Sequence, residues 1–281
     1  MTESSSPLFL SCALQKQGDW EIIGLPFDNA SSYRGGARFG PSQIRLASDS
    51  IESYSPYADR DLDDLHLCDC GDLDIVSLSS ADAVESIAAY YMQQSLAKKK
   101  LIGMGGDHTA SIGAVKGLCD AGLRPVVLHL DAHMDLRDSY LDDPNSHASA
   151  AKRILDMVGP DHLYQWGMRS GERKEFEFAK ELGTYAGRDP DALSVLCNKL
   201  QGEPIYITLD LDIFDPAELP GVGNPEPGGL RFIEFLHLLK GLPELNIVGF
   251  DVVELSPTLD VSGRSSVIAA EIIRELILTF A

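Results

Sequence analysis

Short apolar runs recur along this chain, and segments whose apolar residues have helical spacing lie between most of them. The runs lie at 21–25, 65–68, 101–104, 125–130, 163–166, 204–209 and 246–250. The helical segments lie at 84–97, 111–119, 148–158, 172–182, 232–239 and 268–278. Runs that are short and continuously apolar are typical of strands buried on both faces of a parallel sheet. Their alternation with helices predicts an α/β fold.

The composition narrows the classes of protein and of ligand. With 44% hydrophobic and 23% charged residues, the chain is globular rather than disordered. No linker and no repeat of roughly 20–50 residues divides it, so we predict a single domain over 1–281. The formal net charge of −20 repels phosphate backbones and anionic lipid, so we expect no nucleic acid and no membrane as partner. Cationic ligands are the expected partners.

The sequence shows no signal for insertion into a membrane or export across one. No apolar run approaches the ~20 residues that span a bilayer. No positively charged segment precedes the short apolar stretch near the start, as it does in a secretory signal. We therefore expect a cytoplasmic protein.

Polar segments rich in Gly or Pro follow four of the predicted strands. They lie at 105–108, 131–147, 210–229 and 251–263. In an open parallel sheet, the loops that leave the carboxyl ends of the strands line the ligand-binding crevice. We therefore expect these four loops to converge on one site.

Two of these loops begin with Asp and His residues, which are common metal ligands in proteins. Asp131, His133 and Asp135 occupy alternate positions directly after one predicted strand. Asp210 and Asp212 follow another strand in the same way. Alternate side chains of an extended segment lie on one face, so each loop presents its ligands in one direction.

A single Asp-x-Asp pair at a strand end is weak evidence, because it often only caps a helix or fills a turn. His108, which follows Gly-Gly-Asp after a third strand, adds a sixth group of the ligand type. Four carboxylates packed together repel one another unless cations neutralise them, and two divalent ions supply the four positive charges required. Carboxylates with a minority of imidazoles favour Mn²⁺, although Fe, Co, Ni and Zn stay open.

The motifs Gly105–His108, Asp131–Asp135 and Asp210–Pro216, in that order, resemble the ureohydrolase family of arginase, agmatinase and formimidoylglutamase. Further matching segments extend over nearly the whole chain, at 26–28, 32–41, 167–171, 225–230 and 249–257. The segments 135–138 and 146–148 are most similar to a short microbial agmatinase.

The resemblance implies a fold, an assembly and a metal centre. The fold would be a three-layer α/β/α sandwich around a mostly parallel sheet, and the assembly a homotrimer or homohexamer. Two Mn²⁺ ions per chain would be bound, with Asp131 and Asp210 bridging them. One ion would be held by His108, Asp131, Asp135 and Asp210, and the other by Asp131, His133, Asp210 and Asp212.

The resemblance also implies a reaction, the hydrolysis of agmatine to putrescine and urea. A guanidinium ion carries a delocalised charge and needs a strong nucleophile. Two metal ions that share a water molecule lower its pKa toward roughly 7 and so supply hydroxide for the attack. Asp135 would pass a proton to the leaving amine, and His147 would exchange protons with solvent. Glu254 would bind the guanidinium, beside His147 in the substrate pocket.

One pocket loop departs from the family pattern. Agmatinase-like sequences commonly read Gly-Thr-Gly-Thr before Pro-Glu, whereas this chain reads Gly221-Val222-Gly223-Asn224. Because this loop follows a strand that carries metal ligands, we predict that Asn224 contacts the substrate.

Other functions remain open at this stage. The substrate could be that of a guanidinobutyrase, arginase or formimidoylglutamase, and the chain could also be a metal-binding homologue without catalysis or a deacetylase-like hydrolase on a related fold. Without the resemblance, His147 would be read as a solvated loop residue and Glu254 as an ion-pair partner. His129, inside an apolar run, is predicted to be structural.

Overall fold

A computed structural model describes residues 7–10, 18–29, 31–242 and 244–281. Ten strands lie within these ranges. Their bounds are β1 Trp20–Gly24, β2 Tyr54–Ser55, β3 Arg60–Asp61, β4 Leu67–Asp72, β5 Lys100–Met104, β6 Val126–Leu130, β7 Leu163–Trp166, β8 Tyr185–Gly187, β9 Pro204–Asp210 and β10 Asn246–Val253. Eight of them form one sheet in the order β4-β1-β5-β10-β9-β6-β7-β8, and each neighbouring pair is parallel.

Eight α-helices connect or flank the strands in the part of the chain that the structure describes. Their bounds are α1 Gly40–Ser48, α2 Ser80–Leu96, α3 Thr109–Asp120, α4 Ala150–Val158, α5 Arg173–Leu182, α6 Pro190–Lys199, α7 Phe232–Gly241 and α8 Arg264–Phe280. None of these helices has the length and hydropathy needed to cross a bilayer.

The two faces of the sheet bury separate apolar clusters, which confirms the three-layer α/β/α sandwich. Along β6, Val126, Leu128 and Leu130 face one cluster, whereas Val127 faces the other. Helices α1, α6, α7 and α8 contribute to the first cluster, and α2, α3, α4 and α5 contribute to the second. The alternation follows from the two-residue period of a strand, and burial on both faces explains the continuous apolar runs.

Three elements of the main sheet and its flanking helices differ from the sequence-based expectation, as does the separate two-stranded β2–β3 sheet. Helix α1 begins with Gly-Pro and has few apolar residues, so its sequence resembles a loop, although Pro is favoured at the first positions of a helix. Strand β8 is only three residues long and lies at the edge of the sheet. With its N-cap, helix α6 begins with Asp189-Pro190-Asp191, a sequence that is also typical of a turn. None of the three contributes a predicted metal ligand.

Candidate active site

The predicted site residues meet at the carboxyl ends of four adjacent strands, β5, β10, β9 and β6. A cavity of about 370 Å³ opens there. Its lining includes His133, Asp135, His147, Asp210, Asp212, Asn224 and Glu254. His108 and Asp131 lie beneath it and are completely buried. All four expected loops therefore converge on this site, together with the β1–α1 loop, which contributes Ser32 to the lining.

His108 points one ring nitrogen at three carboxylates. Its Nδ1 lies 3.1 Å from Asp131 Oδ2, 3.2 Å from Asp210 Oδ2 and 3.5 Å from Asp135 Oδ2. This buried Nδ1 has no hydrogen-bond partner among the described residues. The other nitrogen, Nε2, lies 2.9 Å from the hydroxyl of Thr208. A histidine that ligates a metal typically donates its second N–H in this way, which leaves the first nitrogen free to ligate.

His133 belongs to a second group of donors beside the first. Its Nδ1 lies 2.8 Å from Asp212 Oδ2 and 3.6 Å from Asp131 Oδ1. The ligand atoms of Asp131, His133 and Asp212 all lie within 4.8 Å of one another. Asp131 directs Oδ2 toward His108 and Oδ1 toward His133, so it is shared between the two groups. Two overlapping sets of carboxylate and imidazole donors fit a pair of divalent cations.

The electrostatics of the carboxylates support the same fit. Burial, together with the charge of Asp131, raises the pKa of Asp135 to about 8. Burial and the charges of Asp212 and Asp131 raise the pKa of Asp210 well above its usual value. Burial also raises the pKa of Asp212. Carboxylates this close to one another need cations nearby if all are to be ionised at neutral pH.

Glu254 lies beside the donors and accepts two hydrogen bonds through Oε1. One comes from the backbone N–H of His108 at 2.9 Å, and the other partner is Nδ1 of His147 at 3.1 Å. The opposite nitrogen of His147, Nε2, accepts the backbone N–H of Ser32 at 3.0 Å. Because Nε2 must be unprotonated to accept this hydrogen bond, Nδ1 carries the proton that His147 donates to Glu254. Although burial acts in the opposite direction, the Glu254 carboxylate raises the pKa of His147, and a second proton, on Nε2, would strengthen the pair with Glu254 but break the contact with Ser32.

Two of the predicted catalytic carboxylates lie on unusual backbone. Asp135 has φ 50° and Glu254 has φ 70°, in the left-handed region that residues other than Gly rarely adopt. The backbone N–H of Glu254 is held by the carbonyl of Gly106 at 2.8 Å. A Cβ at position 106 would lie 2.2 Å from the carbonyl oxygen of Leu25, so only Gly fits there. Strained backbone of this kind concentrates at functional sites, where the surrounding structure maintains it.

The pocket wall is built by two loops that are distant in sequence. Arg34 donates to the carbonyl of Val222 at 3.1 Å and to that of Gly223 at 3.2 Å. Asn224 donates its side-chain amide to the hydroxyl of Ser32 at 3.2 Å. The predicted substrate contact Asn224 therefore lies on the cavity wall, fixed by the β1–α1 loop.

Charged side chains at the mouth differ in how far they are neutralised. Glu172 pairs with Arg137 at 2.9 Å and with Lys174 at 3.1 Å. Glu226 instead accepts the hydroxyl of Ser170 at 2.8 Å, and its ion-pair partner among the described residues is Nε2 of His133, at 3.8 Å. The wall of the cavity thus retains a carboxylate that forms no ion pair with a Lys or Arg of the described chain, although Arg169 lies near enough to interact with its charge.

Several residues that support the site were not singled out by sequence reasoning. His129, predicted to be structural, places Nε2 2.7 Å from Asp131 Oδ2. Arg169 donates to the carbonyls of Asp212 and Glu226, both at 2.7 Å, and so links two distant parts of the loop between β9 and α7. The signal for His129 was its position two residues before Asp131, on the same face of the extended chain.

Comparisons with known proteins agree with this geometry. The model of the Arginase family matches residues 18–279. Agmatinase from Bacillus anthracis is 38% identical over 261 residues, which cover 92% of this chain and 90% of that protein. N(1)-aminopropylagmatine ureohydrolase from Thermococcus kodakarensis is 37% identical, with 84% and 82% covered. The crystal structure of agmatine ureohydrolase from Thermoplasma volcanium superposes with a TM-score of 0.87 at 30% identity, with 98% of this chain and 94% of that chain covered.

Proposed function

Since the chain belongs to the arginase family of hydrolases that act on amidino C–N bonds, we propose that it hydrolyses agmatine to putrescine and urea with two Mn²⁺ ions. The observation that carries the proposal is the position of Glu254. This carboxylate lines the same cavity as the two groups of metal donors, and it accepts the backbone N–H of one donor, His108. A guanidinium bound there would face the donors directly.

The donors themselves support a pair of ions. One ion would be held by His108, Asp131, Asp135 and Asp210, and the other by Asp131, His133, Asp210 and Asp212. Divalent ions bound by such donors supply the Lewis acidity that activates water as a nucleophile at neutral pH. Carboxylates with two imidazoles suit Mn²⁺ better than the thiolate-rich sites of structural zinc.

Glu254 and His147 would bind the substrate and move protons. A carboxylate pairs with two N–H groups of a planar guanidinium, and the contact from His147 to Glu254 at 3.1 Å is the one that the substrate would replace. Displaced from Glu254, Nδ1 of His147 could exchange protons with solvent through the cavity. Asp135 lines the cavity, and its Oδ2 lies 3.5 Å from Nδ1 of His108, so its carboxylate is placed to pass a proton to the leaving amine.

The cavity wall supports a substrate with a cationic tail. The mouth carboxylate of Glu226 has no Lys or Arg partner in the described chain, and agmatine ends in an ammonium group. Arg137 also lines the cavity, but Glu172 neutralises it at 2.9 Å, so it offers little to the carboxylate tail of arginine or 4-guanidinobutyrate. The ureohydrolase from Thermococcus kodakarensis is named for a longer cationic substrate, so N(1)-aminopropylagmatine is the natural competitor to agmatine.

Urea release by the purified chain tests the proposal. The protein would be stripped with a chelator, reloaded with Mn²⁺ and assayed with agmatine, N(1)-aminopropylagmatine, arginine and 4-guanidinobutyrate at matched concentrations. We expect activity to depend on added metal and to be highest with agmatine. Turnover of another member of the panel in place of agmatine would reassign the substrate, and two bound ions without turnover of any would indicate a metal-binding homologue without catalysis.

We further propose that the chain assembles as a homotrimer or homohexamer, as its family resemblance implies. Light scattering on the metal-loaded protein would give the mass directly, to be compared with multiples of 30.5 kDa. A monomer at assay concentration would contradict this assembly while leaving the proposed reaction untouched.

A further inference from the structure

His129 lies at the centre of a polar row beneath the metal donors. It pairs in register with Thr208 on β9 and with Gln165 on β7, so the three side chains lie at one level across three adjacent strands. All three are buried, with exposures of 0–1%. The ring of His129 packs edge-on against that of His108, with centroids 4.8 Å apart. Asp251 on β10, which is also buried, continues the row in register with Thr208, and a buried polar row of this kind needs partners for its polar groups.

The hydrogen bonds of Gln165 determine which nitrogen of His129 carries the proton. The Gln165 side-chain NH₂ donates to the carbonyl of Met134 at 2.7 Å and lies 3.1 Å from Nδ1 of His129. The contact with Met134 fixes the amide orientation, because the opposite orientation would place two oxygens against each other. Nδ1 of His129 therefore accepts, and Nε2 carries the proton and donates it to Asp131 Oδ2 at 2.7 Å.

The orientation of Gln165 leaves a buried acceptor without a partner. Its Oε1 has no hydrogen bond among the residues that the structure describes. An unsatisfied buried acceptor costs free energy, so the two contacts made by the NH₂ group outweigh it. The orientation of the Gln165 amide is therefore set by its two donated hydrogen bonds, one of which goes to His129.

Both nitrogens of His129 are thus engaged, which argues against direct ligation of a metal even though the residue lies within 4.8 Å of the donors His108, Asp131 and Asp135. Its effect falls on Asp131. The N–H of His129 holds Oδ2, and the backbone N–H of His133 holds Oδ1 at 2.5 Å. With both oxygens held, the carboxylate keeps one oxygen toward each group of donors.

We propose that His129 is a positioning residue that orients Asp131 as the shared ligand of two metal ions, and that Gln165 sets the tautomer this requires. The inference rests on the proposed metal centre but not on the identity of the substrate. Groups that hold a metal ligand in place typically change metal affinity by roughly 10–100-fold when they are removed.

Metal affinity of the stripped, full-length protein provides the main test. His129→Phe keeps a ring but removes the donor, and we expect Mn²⁺ to bind roughly 10–100-fold more weakly, as measured by competition with a chelator of known affinity. His129→Gln places an amide NH₂ near the position of Nε2, and we expect it to restore affinity to within a few-fold of the wild type. His237→Phe, which removes an exposed imidazole on α7, is the matched control and should bind metal normally.

Gln165→Leu supplies a milder variant in case His129→Phe does not fold. It keeps the side-chain volume but frees the tautomer of His129, and we expect a smaller loss of Mn²⁺ affinity. Nitrogen chemical shifts of His129 in the metal-free wild type should report a proton on Nε2. Unchanged Mn²⁺ affinity in His129→Phe or in Gln165→Leu, affinity in His129→Gln as weak as in His129→Phe, or a proton on Nδ1 alone would each overturn the inference. A wild-type protein that binds Mn²⁺ normally but does not turn over agmatine would instead count against the proposed function.

Discussion

The cavity has two parts that are built in different ways: a floor of metal donors at the strand ends, and a mouth formed by the loops that carry Ser32, Arg34, Asn224 and Glu226. On the floor, Asp131 and Asp210 lie at the ends of strands and are held by nearby backbone, as when Asp210 accepts the N–H of Asp212 at 2.8 Å. At the mouth, Ser32 contacts His147 from 115 residues away, and Arg34 contacts Gly223 from 189 residues away. The floor therefore depends in part on local chain geometry, whereas these contacts at the mouth depend on loops that must dock on one another. The difference predicts that metal binding and substrate binding can be disrupted separately.

The largest expected effect comes from Asp131, the proposed shared ligand on the floor. Asp131→Asn removes one charge from both groups of donors, so we expect weak metal binding and a loss of turnover of at least about 10³-fold. Metal analysis and urea release on the same sample would measure both. Asp215→Asn is the matched control, because Asp215 is partly exposed and accepts the backbone N–H groups of Ala217 and Gly228 in a turn. A control as damaging as Asp131→Asn would mean that the whole loop, not the ligand, was disturbed.

Glu254→Gln is expected to lower activity toward the substrate without weakening metal binding. The amide keeps the shape of the side chain but loses the charge that pairs with a guanidinium, so kcat/KM should fall by about 10²-fold. Mn²⁺ affinity should stay within a few-fold of the wild type, because Glu254 is not among the proposed ligands. If metal binding fell in parallel with activity, the separation of the two regions would be wrong at this residue.

Arg34→Ala should loosen the mouth alone. Two hydrogen bonds to the 222–223 backbone are lost, each worth about 1 kcal/mol, so we expect KM to rise several-fold as Asn224 loses its support. Steady-state kinetics with agmatine would show the change, and metal content should be unaltered. Arg34→Lys should rescue little, because an ammonium group lacks the planar fork that spans two carbonyls. An unchanged KM in both variants would show that the loop is held by other contacts.

The smallest expected effect concerns the substrate tail. Glu226→Gln removes a half-exposed carboxylate from the cavity wall, and an ion pair at such a position is worth about 0.2–1 kcal/mol. The KM for agmatine should therefore rise by a few-fold at most, whereas that for butylguanidine, which lacks the ammonium, should not change. An equal rise for both compounds would indicate that Glu226 acts through His133 instead of through the tail.

The alternation of strands and helices predicted the sheet, its parallel direction and the loops that form the site. The prediction failed for α1, α6 and β8, and for the two-residue strands β2 and β3. Both helices have Pro in the first turn, a residue that also marks turns, and the three strands are too short to show a period. The motif around Asp131 predicted the ligand types, since alternate residues of an extended segment share a face. The role proposed for Glu254 came from resemblance, and that for Asn224 came from a loop that departs from the family pattern. Both residues line the same cavity.

By itself, the sequence determined which groups can bind metal at this site. Donors separated by two residues at a strand end meet because of local backbone geometry, and a local rule can be read from the chain. Only the tertiary structure decided how those groups are oriented. Gln165 reaches His129, and Ser32 reaches His147, because separate strands and loops pack together. The alternation of apolar runs with helical segments along the chain implied such packing in general. The direction of each hydrogen bond, however, depends on side chains that meet only in the folded protein.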